Sequence, residues 1–197
     1  MPPVITRLAD VGRGRVAVEL DQGGWRTLPG EAVVRAGLAV GMPLDRASAR
    51  RLNRELRRSR AMRVALGALR QRDHSRESLT ARLEHRGVNW TESAEALETL
   101  ERVGLVDDVR TAKSRALALA DRSAGDLLIR DDLERRGYRP EAIDAALGEL
   151  EPEADRLHRI LTRDGASPST LRRLAGRGFA DEALESLIAN DARDELG

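Results

Sequence analysis

The sequence predicts a mainly α-helical protein in which three-helix units repeat in tandem behind a small N-terminal β-hairpin element. Three observations support this prediction. The 197 residues are rich in Leu, Ala, Arg and Glu, and these residues have high helix propensities. Aromatic residues make up only 2% of the chain, so the core has to be built from aliphatic side chains. A Leu-x-x-Arg-Gly-apolar motif also occurs three times from residue 83 onward.

The composition excludes several classes of protein. The chain contains no cysteine, so disulfide scaffolds, thiol nucleophiles and cysteine-ligated zinc sites are ruled out. No stretch approaches the roughly 18 apolar residues that a membrane span needs. Charged residues interrupt the first 15 positions, which is unlike the layout of a secretion signal. We therefore expect a cytoplasmic protein that does not enter the membrane.

The near-neutral net charge of +1 conceals an uneven distribution along the chain. Residues 1–75 carry 15 arginines against 7 acids, whereas residues 76–197 carry 19 basic residues against 26 acids. The first segment therefore has a net charge of +8 and the second a net charge of −7. A molecule polarised in this way can meet partners of opposite charge through its two parts.

Residues 1–44 are predicted to form a small element of a β-hairpin and a short helix. The strand-like run Val16–Leu20 is followed by a turn containing two glycines and by a second apolar run, a pattern typical of a hairpin. Val4–Leu8 is a candidate third strand. Glu31–Gly37 is predicted to be a short helix that ends at its glycine.

Residues 45–70 are predicted to form one arginine-rich linking helix. Asp45 is its expected N-cap, and Leu52 and Leu56 form a stripe that faces the core. Residues 46–63 carry eight arginines and one acid, a net charge of +7. The arginine side is either a solvated face or a contact surface for DNA phosphates or an acidic protein, and the shortage of compensating acids favours contact. The candidate binding residues are Arg50, Arg51, Arg54, Arg57 and Arg58.

The rest of the chain is predicted to be three helical repeats, at residues 71–122, 123–164 and 165–197, of which the third is shorter. In each motif, the arginine lies in the last turn of a helix and the glycine takes the left-handed position after it. The three structural glycines are Gly87, Gly137 and Gly178, and aliphatic residues follow each of them ten positions later at Leu97, Leu147 and Ile188. The spacing of the glycines leaves room for a third helix in the first two repeats, over 107–122 and 153–163.

Four segments of the chain, taken in sequence order, resemble the RecX family of bacterial regulators of the RecA recombinase. The likeness covers about residues 4–188. It is carried by residues 72–79 with Leu83 and Gly87, by residues 100–108 with Ala112, by Gly125, Ile129, Leu133 and Gly137, and by residues 173–179. The chain departs from the family pattern in two places. Thr111 stands where the family usually has Tyr or Phe, and Leu127 and Leu128 stand where it usually has basic residues.

The resemblance implies a curved, elongated helical array that lies in the groove of the RecA filament on single-stranded DNA. A member of this family is expected to inhibit the ATPase and strand-exchange activities of RecA. It would thereby act as a negative regulator of homologous recombination and the SOS response. The implied partners are the RecA filament and single-stranded DNA, bound directly or through the filament, by a monomer without a cofactor. Arg172, Arg173 and Arg177 of the third repeat are further candidate binding residues.

Catalysis has little support in the sequence. His74, His85 and His158 are scattered without metal-ligand spacing, and Ser75 is better explained as a helix N-cap than as a nucleophile. The Asp107–Asp108 pair is better explained as an acidic helix start than as a metal site, and Asp108 is assigned a structural role. We therefore expect no catalytic residue, no metal site and no enzyme activity.

The alternative function is a helix-turn-helix DNA-binding transcription regulator, because short helices joined by Arg-Gly turns resemble that motif locally. The second helices of the first two repeats are rich in glutamate and aspartate, and a recognition helix that reads base edges is expected to be basic. The charge of these helices therefore argues against the alternative.

Overall fold

The computed structural model describes residues 1–180, which contain a three-stranded antiparallel sheet followed by nine helices. The strands are β1 (Ile5–Asp10), β2 (Arg15–Leu20) and β3 (Gly23–Pro29). The helices are α1 (Gly30–Arg35), α2 (Arg46–Leu69), α3 (Arg76–His85), α4 (Trp90–Arg102), α5 (Asp108–Ala120), α6 (Asp126–Arg135), α7 (Pro140–Leu147), α8 (Glu153–Asp164) and α9 (Pro168–Ala175). The prediction of a mainly α-helical fold with a small N-terminal β element is confirmed. Ile188, with the end of the predicted third repeat, lies outside the described residues.

The chain divides into two compact units. The first unit contains Met1–Arg72 and Leu79–Val103, and therefore holds the sheet, α1, α2, α4 and most of α3. The second unit contains Asp73–Ser78 and the chain from Gly104 onward, which includes α5 to α9 and the first turn of α3. Each unit has a hydrophobic core of its own.

The predicted hairpin is confirmed, and a third strand joins it. β2 pairs with both β1 and β3 in antiparallel register, so that Val18 lies opposite Leu8 on one side and Arg26 on the other. One face of this sheet is apolar and packs against α1 and α2 because a two-layer arrangement buries both. The buried members of this core are Ile5, Val18, Leu28, Val33, Ala36, Leu38 and Leu52.

The core of the second unit is built largely from alanine and leucine, as the composition predicts. Ile129 and Leu133 of α6 and Ile143 of α7 are fully buried, together with alanines of α5 and α7. Thr111, at one of the departures from the family pattern, is also buried, and its hydroxyl donates to the Asp107 carbonyl over 2.8 Å. Tyr138 is buried in the same core, and this burial raises the pKa of its hydroxyl.

The Arg-Gly turns have the backbone conformation that closes a helix. Gly87, Gly137 and Gly178 have φ angles of +70°, +75° and +80°, a region that side-chain-bearing residues adopt only with strain. The apolar residue after each glycine folds back and is buried. These three residues are Val88, Tyr138 and Phe179.

The carbonyl of the arginine in each turn accepts a hydrogen bond from an element earlier in the chain. This carbonyl has no partner within its own helix, so an outside donor satisfies it. The three bonds join Arg60 Nη2 to Arg86 O (2.7 Å), Ser75 Oγ to Arg136 O (2.7 Å) and Gly125 N to Arg177 O (2.9 Å). The Arg-Gly turns therefore connect parts of the chain that are 26 to 61 residues apart.

Acidic side chains cap the helices of the second unit, both locally and at a distance. Asp107 caps its own helix α5 by accepting the Arg110 N–H over 2.9 Å, which confirms the acidic helix start. Asp108 instead accepts the backbone N–H of Arg76 at the start of α3 over 2.8 Å. Ser75 is the N-cap of α3, as predicted, since its Oγ accepts the Ser78 N–H over 3.1 Å.

A half-buried ion-pair network links α5 to α6. The carboxylate of Asp132 accepts two hydrogen bonds from the guanidinium of Arg115 at 2.9 Å each and one from Arg136 at 2.7 Å. The hydrogen bonds from Arg115, and then those from Arg136, lower the pKa of Asp132 from 3.8 to about 2. A fork of this kind is among the stronger ion pairs that proteins form.

We expect Asp132→Asn to lower the free energy of unfolding by about 2 kcal/mol at neutral pH, because charge-assisted hydrogen bonds are lost. Since the folded-state pKa is depressed, the carboxylate stabilises the fold above about pH 4, and this contribution disappears as the pH falls towards about 2. Urea denaturation across this range should therefore show the parent and variant converging in acid. Asp131→Asn, which removes the exposed partner of Arg135, is the control and should cost under about 0.5 kcal/mol. Equal losses from the two variants would contradict the assignment.

Candidate nucleic-acid interface

The first half of α2 presents a continuous basic surface. Six arginines lie within about 140° of helix circumference at 100° per residue. They are Arg46, Arg50, Arg51, Arg54, Arg57 and Arg58, hereafter the arginine face. Five of their side chains are exposed, and that of Arg58 is half-buried. This grouping follows from the sequence, since the spacing of the arginines matches the period of the helix.

The opposite side of the same helical segment is anchored in the first unit. Asp45 begins α2 by accepting the Ser48 N–H over 2.8 Å, which confirms the predicted N-cap. Leu52 is buried in the core that the sheet and α1 form, and Leu56 packs beside it, as predicted. Ser59 donates to Glu31 of α1 over 2.6 Å on this side. The packing therefore holds the arginine face outward.

The arginine face has little acidic compensation. Glu55 is the only acid on α2, and it is buried with one oxygen 3.6 Å from Arg54 Nε. Arg51 donates to the Ser48 hydroxyl over 3.1 Å, which leaves its charge unneutralised. Within residues 1–180, Arg46 and Arg50 have no ion-pair partner, so their guanidinium groups face solvent.

Two members of the arginine face are engaged by the fold itself. Arg57 Nε lies 3.2 Å from Glu92 Oε1 at the start of α4, and Glu92 is buried. The other oxygen of Glu92 is also buried and has no hydrogen-bond partner among the described residues. The positive charge of Arg57 therefore compensates the negative charge of this buried carboxylate. Arg58 lines a small cavity of about 40 Å³ together with Glu31 and Glu55. The sequence did not indicate that Arg57 pairs with α4, because the two residues are 35 positions apart.

The arginines of the predicted third repeat lie in the other compact unit, where they have local hydrogen-bond partners. Arg173 Nη2 donates to Asp164 over 2.7 Å, and Arg163 pairs with the same carboxylate, so that the two arginines hold the pKa of Asp164 at about 2. Arg172 Nε donates to the Pro168 carbonyl over 3.1 Å. Arg177 is half-buried, and its carbonyl is the acceptor in the third Arg-Gly turn.

The arginine face can bind the phosphates of a nucleic acid without reading its sequence. Guanidinium groups bind phosphate oxygens through paired hydrogen bonds, and the affinity depends strongly on salt. In the part of the chain that the structure describes, no group of three His, Asp or Glu side chains is arranged to hold a metal ion. No helix among these residues is long and apolar enough to cross a membrane.

Similarity to known proteins identifies the family of the chain. No protein-family model matches it. The chain is 30% identical over 160 residues to the regulatory protein RecX of Xanthomonas campestris pv. campestris (strain B100), which covers 76% of this chain and 99% of that protein. It is 31% identical over 140 residues to RecX of Stenotrophomonas maltophilia (strain R551-3), with coverage of 66% and 86%.

Two solved structures share the fold. A crystal structure of regulatory protein RecX matches with a TM-score of 0.75 at 19% identity, over 93% of this chain and 97% of that chain. The structure of RecX from Lactobacillus salivarius matches with a TM-score of 0.58 at 16% identity, over 68% of this chain and 96% of that chain. Together with the two relatives in sequence, these similarities confirm the resemblance that the sequence motifs indicate. The chain belongs to the RecX family of regulatory proteins.

Proposed function

We propose that this chain binds the RecA recombinase filament on single-stranded DNA and inhibits its ATPase and strand-exchange activities. In this role it is a negative regulator of homologous recombination and the SOS response, and it acts in the cytoplasm as a monomer. It works by binding and not by catalysis. The observation that carries the proposal is the arginine face of α2, whose exposed guanidinium groups have few acidic partners.

The electrostatics of the first unit fit a partner that contains single-stranded DNA. A phosphate chain presents a regular series of negative charges, and the arginine face presents cations at successive helical positions along one side. Arg50, Arg51 and Arg54 are the members best placed for phosphates, because all three are exposed. The single ion pair among them, from Arg54 Nε to Glu55 Oε1, is long at 3.6 Å. Arg57 can also bind a phosphate, because its ion pair with Glu92 uses Nε and 62% of its side chain remains exposed.

The second helices favour a protein surface over base edges as the partner of the repeats. α4 carries Glu92, Glu95, Glu98 and Glu101 against a single arginine at its end. An acidic helix is repelled by DNA, so α4 does not have the charge of a recognition helix. The helix-turn-helix alternative would require affinity for one duplex sequence over others, whereas this proposal requires binding that does not depend on sequence.

The direct test is the single-strand-dependent ATPase of RecA, measured while the purified protein is titrated in. We expect inhibition at or below one protein per RecA subunit, and no ATP hydrolysis by the protein alone. We further expect Arg50→Gln/Arg51→Gln/Arg54→Gln to weaken inhibition at least tenfold without unfolding the protein, because glutamine keeps the helix propensity close to that of arginine. Affinity for the filament should also depend less on salt, with the log–log slope reduced by about 2, or roughly 0.7 per lost contact.

The matched control removes the same charge elsewhere. Arg102, Arg122 and Arg139 are exposed, and within residues 1–180 their side chains have no ion-pair partner. Changing all three to glutamine should leave both inhibition and salt slope close to those of the parent. If the two triple variants behave alike, the arginine face is only a solvated surface. If the parent protein does not inhibit RecA at all, the proposed function is wrong.

A further inference from the structure

A second basic site lies in the first unit, in a cavity of about 490 Å³ beside the second half of α2. Four arginines line it: Arg13 in the turn between β1 and β2, Arg15 at the start of β2, Arg63 on α2 and Arg70, the C-cap of α2. Met62 and Leu66 supply an apolar wall. Arg63 and Arg70 are two helical turns apart, so their side chains leave the same side of α2. The volume is typical of pockets that bind small ligands.

The β1–β2 turn is held rigidly over this cavity. Gly12, Arg13 and Gly14 have φ angles of +81°, +56° and +68°, and a positive φ is uncommon for a residue with a side chain such as arginine. Asp10 accepts the Gly12 N–H over 2.8 Å, and the Gly30 N–H at the start of α1 donates to the Gly14 carbonyl over 2.8 Å. The strained turn thus fixes the position from which Arg13 projects, and strain of this kind collects at functional sites.

The positive charge in the cavity is largely uncompensated. Glu31 is the only acid in its lining, and its carboxylate accepts a hydrogen bond from Ser59 over 2.6 Å. Within residues 1–180, no ion pair joins Glu31 to any of the four arginines. Arg15 donates to the Thr27 carbonyl over 2.6 Å, which satisfies one N–H and leaves its charge unpaired. Four guanidinium groups around one space repel one another, and an anion of two or more charges would relieve that repulsion.

The cavity is distinct from the arginine face. At 100° per residue, Arg63, Leu66 and Arg70 leave α2 on the side of Ser59, which is opposite Arg50 and Arg54. A strand that runs along the arginine face therefore does not enter the cavity by simple continuation. The cavity is open to solvent, and its lining brings arginines of the hairpin and of α2 around one space, which suits a compact anion.

We propose that this cavity is a binding site for a phosphate monoester or polyphosphate of nucleotide size. The guanidinium groups of Arg13, Arg63 and Arg70 bind the phosphate oxygens, and Met62 and Leu66 pack against the sugar and base. Arginine suits this role because its planar donors match phosphate oxygens in pairs. The same chemistry is offered by a free nucleotide and by the 5′-terminal phosphate of a nucleic-acid strand, and probes of both kinds separate these two sources.

The test measures binding by calorimetry to the full-length protein, with ADP, inorganic pyrophosphate and a pair of short oligonucleotides that differ only in a 5′-phosphate. We expect saturable binding of at least one phosphorylated probe and a loss of at least tenfold in Arg63→Gln/Arg70→Gln. Both side chains are exposed and have no ion-pair partner within the described residues, so the variant should keep the melting temperature of the parent. Arg13→Gln is a second variant that leaves α2 unchanged and should weaken the same probe.

The matched control is Arg50→Gln/Arg51→Gln/Arg54→Gln, which changes only the arginine face and should keep full affinity for ADP and pyrophosphate. Loss of ADP binding in the cavity variants alone identifies a free nucleotide as the ligand. If the parent protein does not bind ADP but prefers the 5′-phosphorylated strand, and the cavity variants lose that preference, the ligand is a strand end. The proposal is overturned if no phosphorylated probe saturates, or if the cavity variants and the control lose affinity equally. These readouts do not involve RecA, so they are independent of the proposed inhibition.

Discussion

Replacing Arg156 with methionine is expected to lower the free energy of unfolding by about 3 kcal/mol or more. The side chain of this arginine in α8 is only 4% exposed. Its guanidinium donates to the Glu151 carbonyl over 3.0 Å, to the Ala124 carbonyl over 2.9 Å and to the carboxylate of Asp126. Methionine fills part of the volume but leaves these three acceptors without their donor, and each buried acceptor that is left unsatisfied costs about 1 to 3 kcal/mol.

Arg159→Met is the matched control, because Arg159 lies one turn further along α8 and is 68% exposed. It pairs with Glu151 Oε2 over 2.7 Å at the surface, so its loss should cost under about 1 kcal/mol. Far-UV circular dichroism in urea is the suitable probe, since both tryptophans, Trp25 and Trp90, lie in the first unit and do not report on α8. Similar urea midpoints for the two variants would show that the buried hydrogen bonds of Arg156 do not stabilise the second unit more than a surface ion pair does.

Local chemistry explains which parts of the fold the sequence predicted. Asp45 and Ser75 cap their helices through side-chain oxygens only three residues from the N–H groups that they accept. Gly37, where a short helix is predicted to end, has a φ of +66°. These features depend on neighbours in the chain, so residue type and spacing are sufficient to predict them. The hairpin follows in the same way from two apolar runs around a short turn.

Contacts between distant residues explain what the sequence did not show. Arg156 is an arginine in an amphipathic helix, and such residues are normally exposed, so nothing in its neighbourhood indicates that it is buried. Asp108 lies in the first turn of α5, as the sequence predicts, but the sequence does not indicate that it also accepts the Arg76 N–H of α3, 32 residues earlier. Each of these roles depends on which segments the tertiary fold brings together, and propensity and period do not encode that information.

The candidate site illustrates the same distinction. The arginine run and its helical spacing place six side chains on one side of α2 without any knowledge of the tertiary structure. That Arg57 holds a buried glutamate of α4 depends on the packing of the two helices. The cavity beside Arg13 joins residues some 50 positions apart, so its four arginines could not be grouped from the sequence. Experiments on the arginine face should therefore use Arg50, Arg51 and Arg54 and leave Arg57 in place.

Replacing Gly125 with alanine is expected to destabilise the second unit by about 3 kcal/mol or more, for steric reasons alone. Gly125 has a φ of −82°, which any residue adopts, so backbone strain does not contribute. A Cβ at this position would lie 2.2 Å from both the Gly178 carbonyl oxygen and the Phe179 nitrogen. These are backbone atoms, so they cannot move aside as a flexible side chain does, and overpacking of this kind is costly.

The contact at Gly125 also carries the cap of α6. The Gly125 N–H donates to Arg177 O over 2.9 Å, and the Leu127 N–H donates to Gly178 O over 3.1 Å. The Asp126 N–H between them donates to Glu153 Oε1 over 2.6 Å. Any shift that accommodates the new methyl group therefore lengthens hydrogen bonds that satisfy the first N–H groups of the helix. Steric relief and hydrogen bonding oppose each other, which is why we expect a loss larger than a single methyl group normally causes.

Three further glycine-to-alanine variants separate the contributions. A methyl group on Gly24 would have no atom within 4 Å, and this residue has no positive φ, so its variant should be within about 0.5 kcal/mol of the parent. Gly87 has a φ of +70° but only the end of Arg60 nearby, at 3.8 Å, so conformational strain should cost about 1 kcal/mol. Gly178 combines a φ of +80° with a Cβ position 2.4 Å from Leu128 N, and its variant should be at least as damaging as Gly125→Ala. Equal losses at Gly87 and Gly178 would mean that backbone conformation, and not the close contact between the third turn and α6, determines the cost.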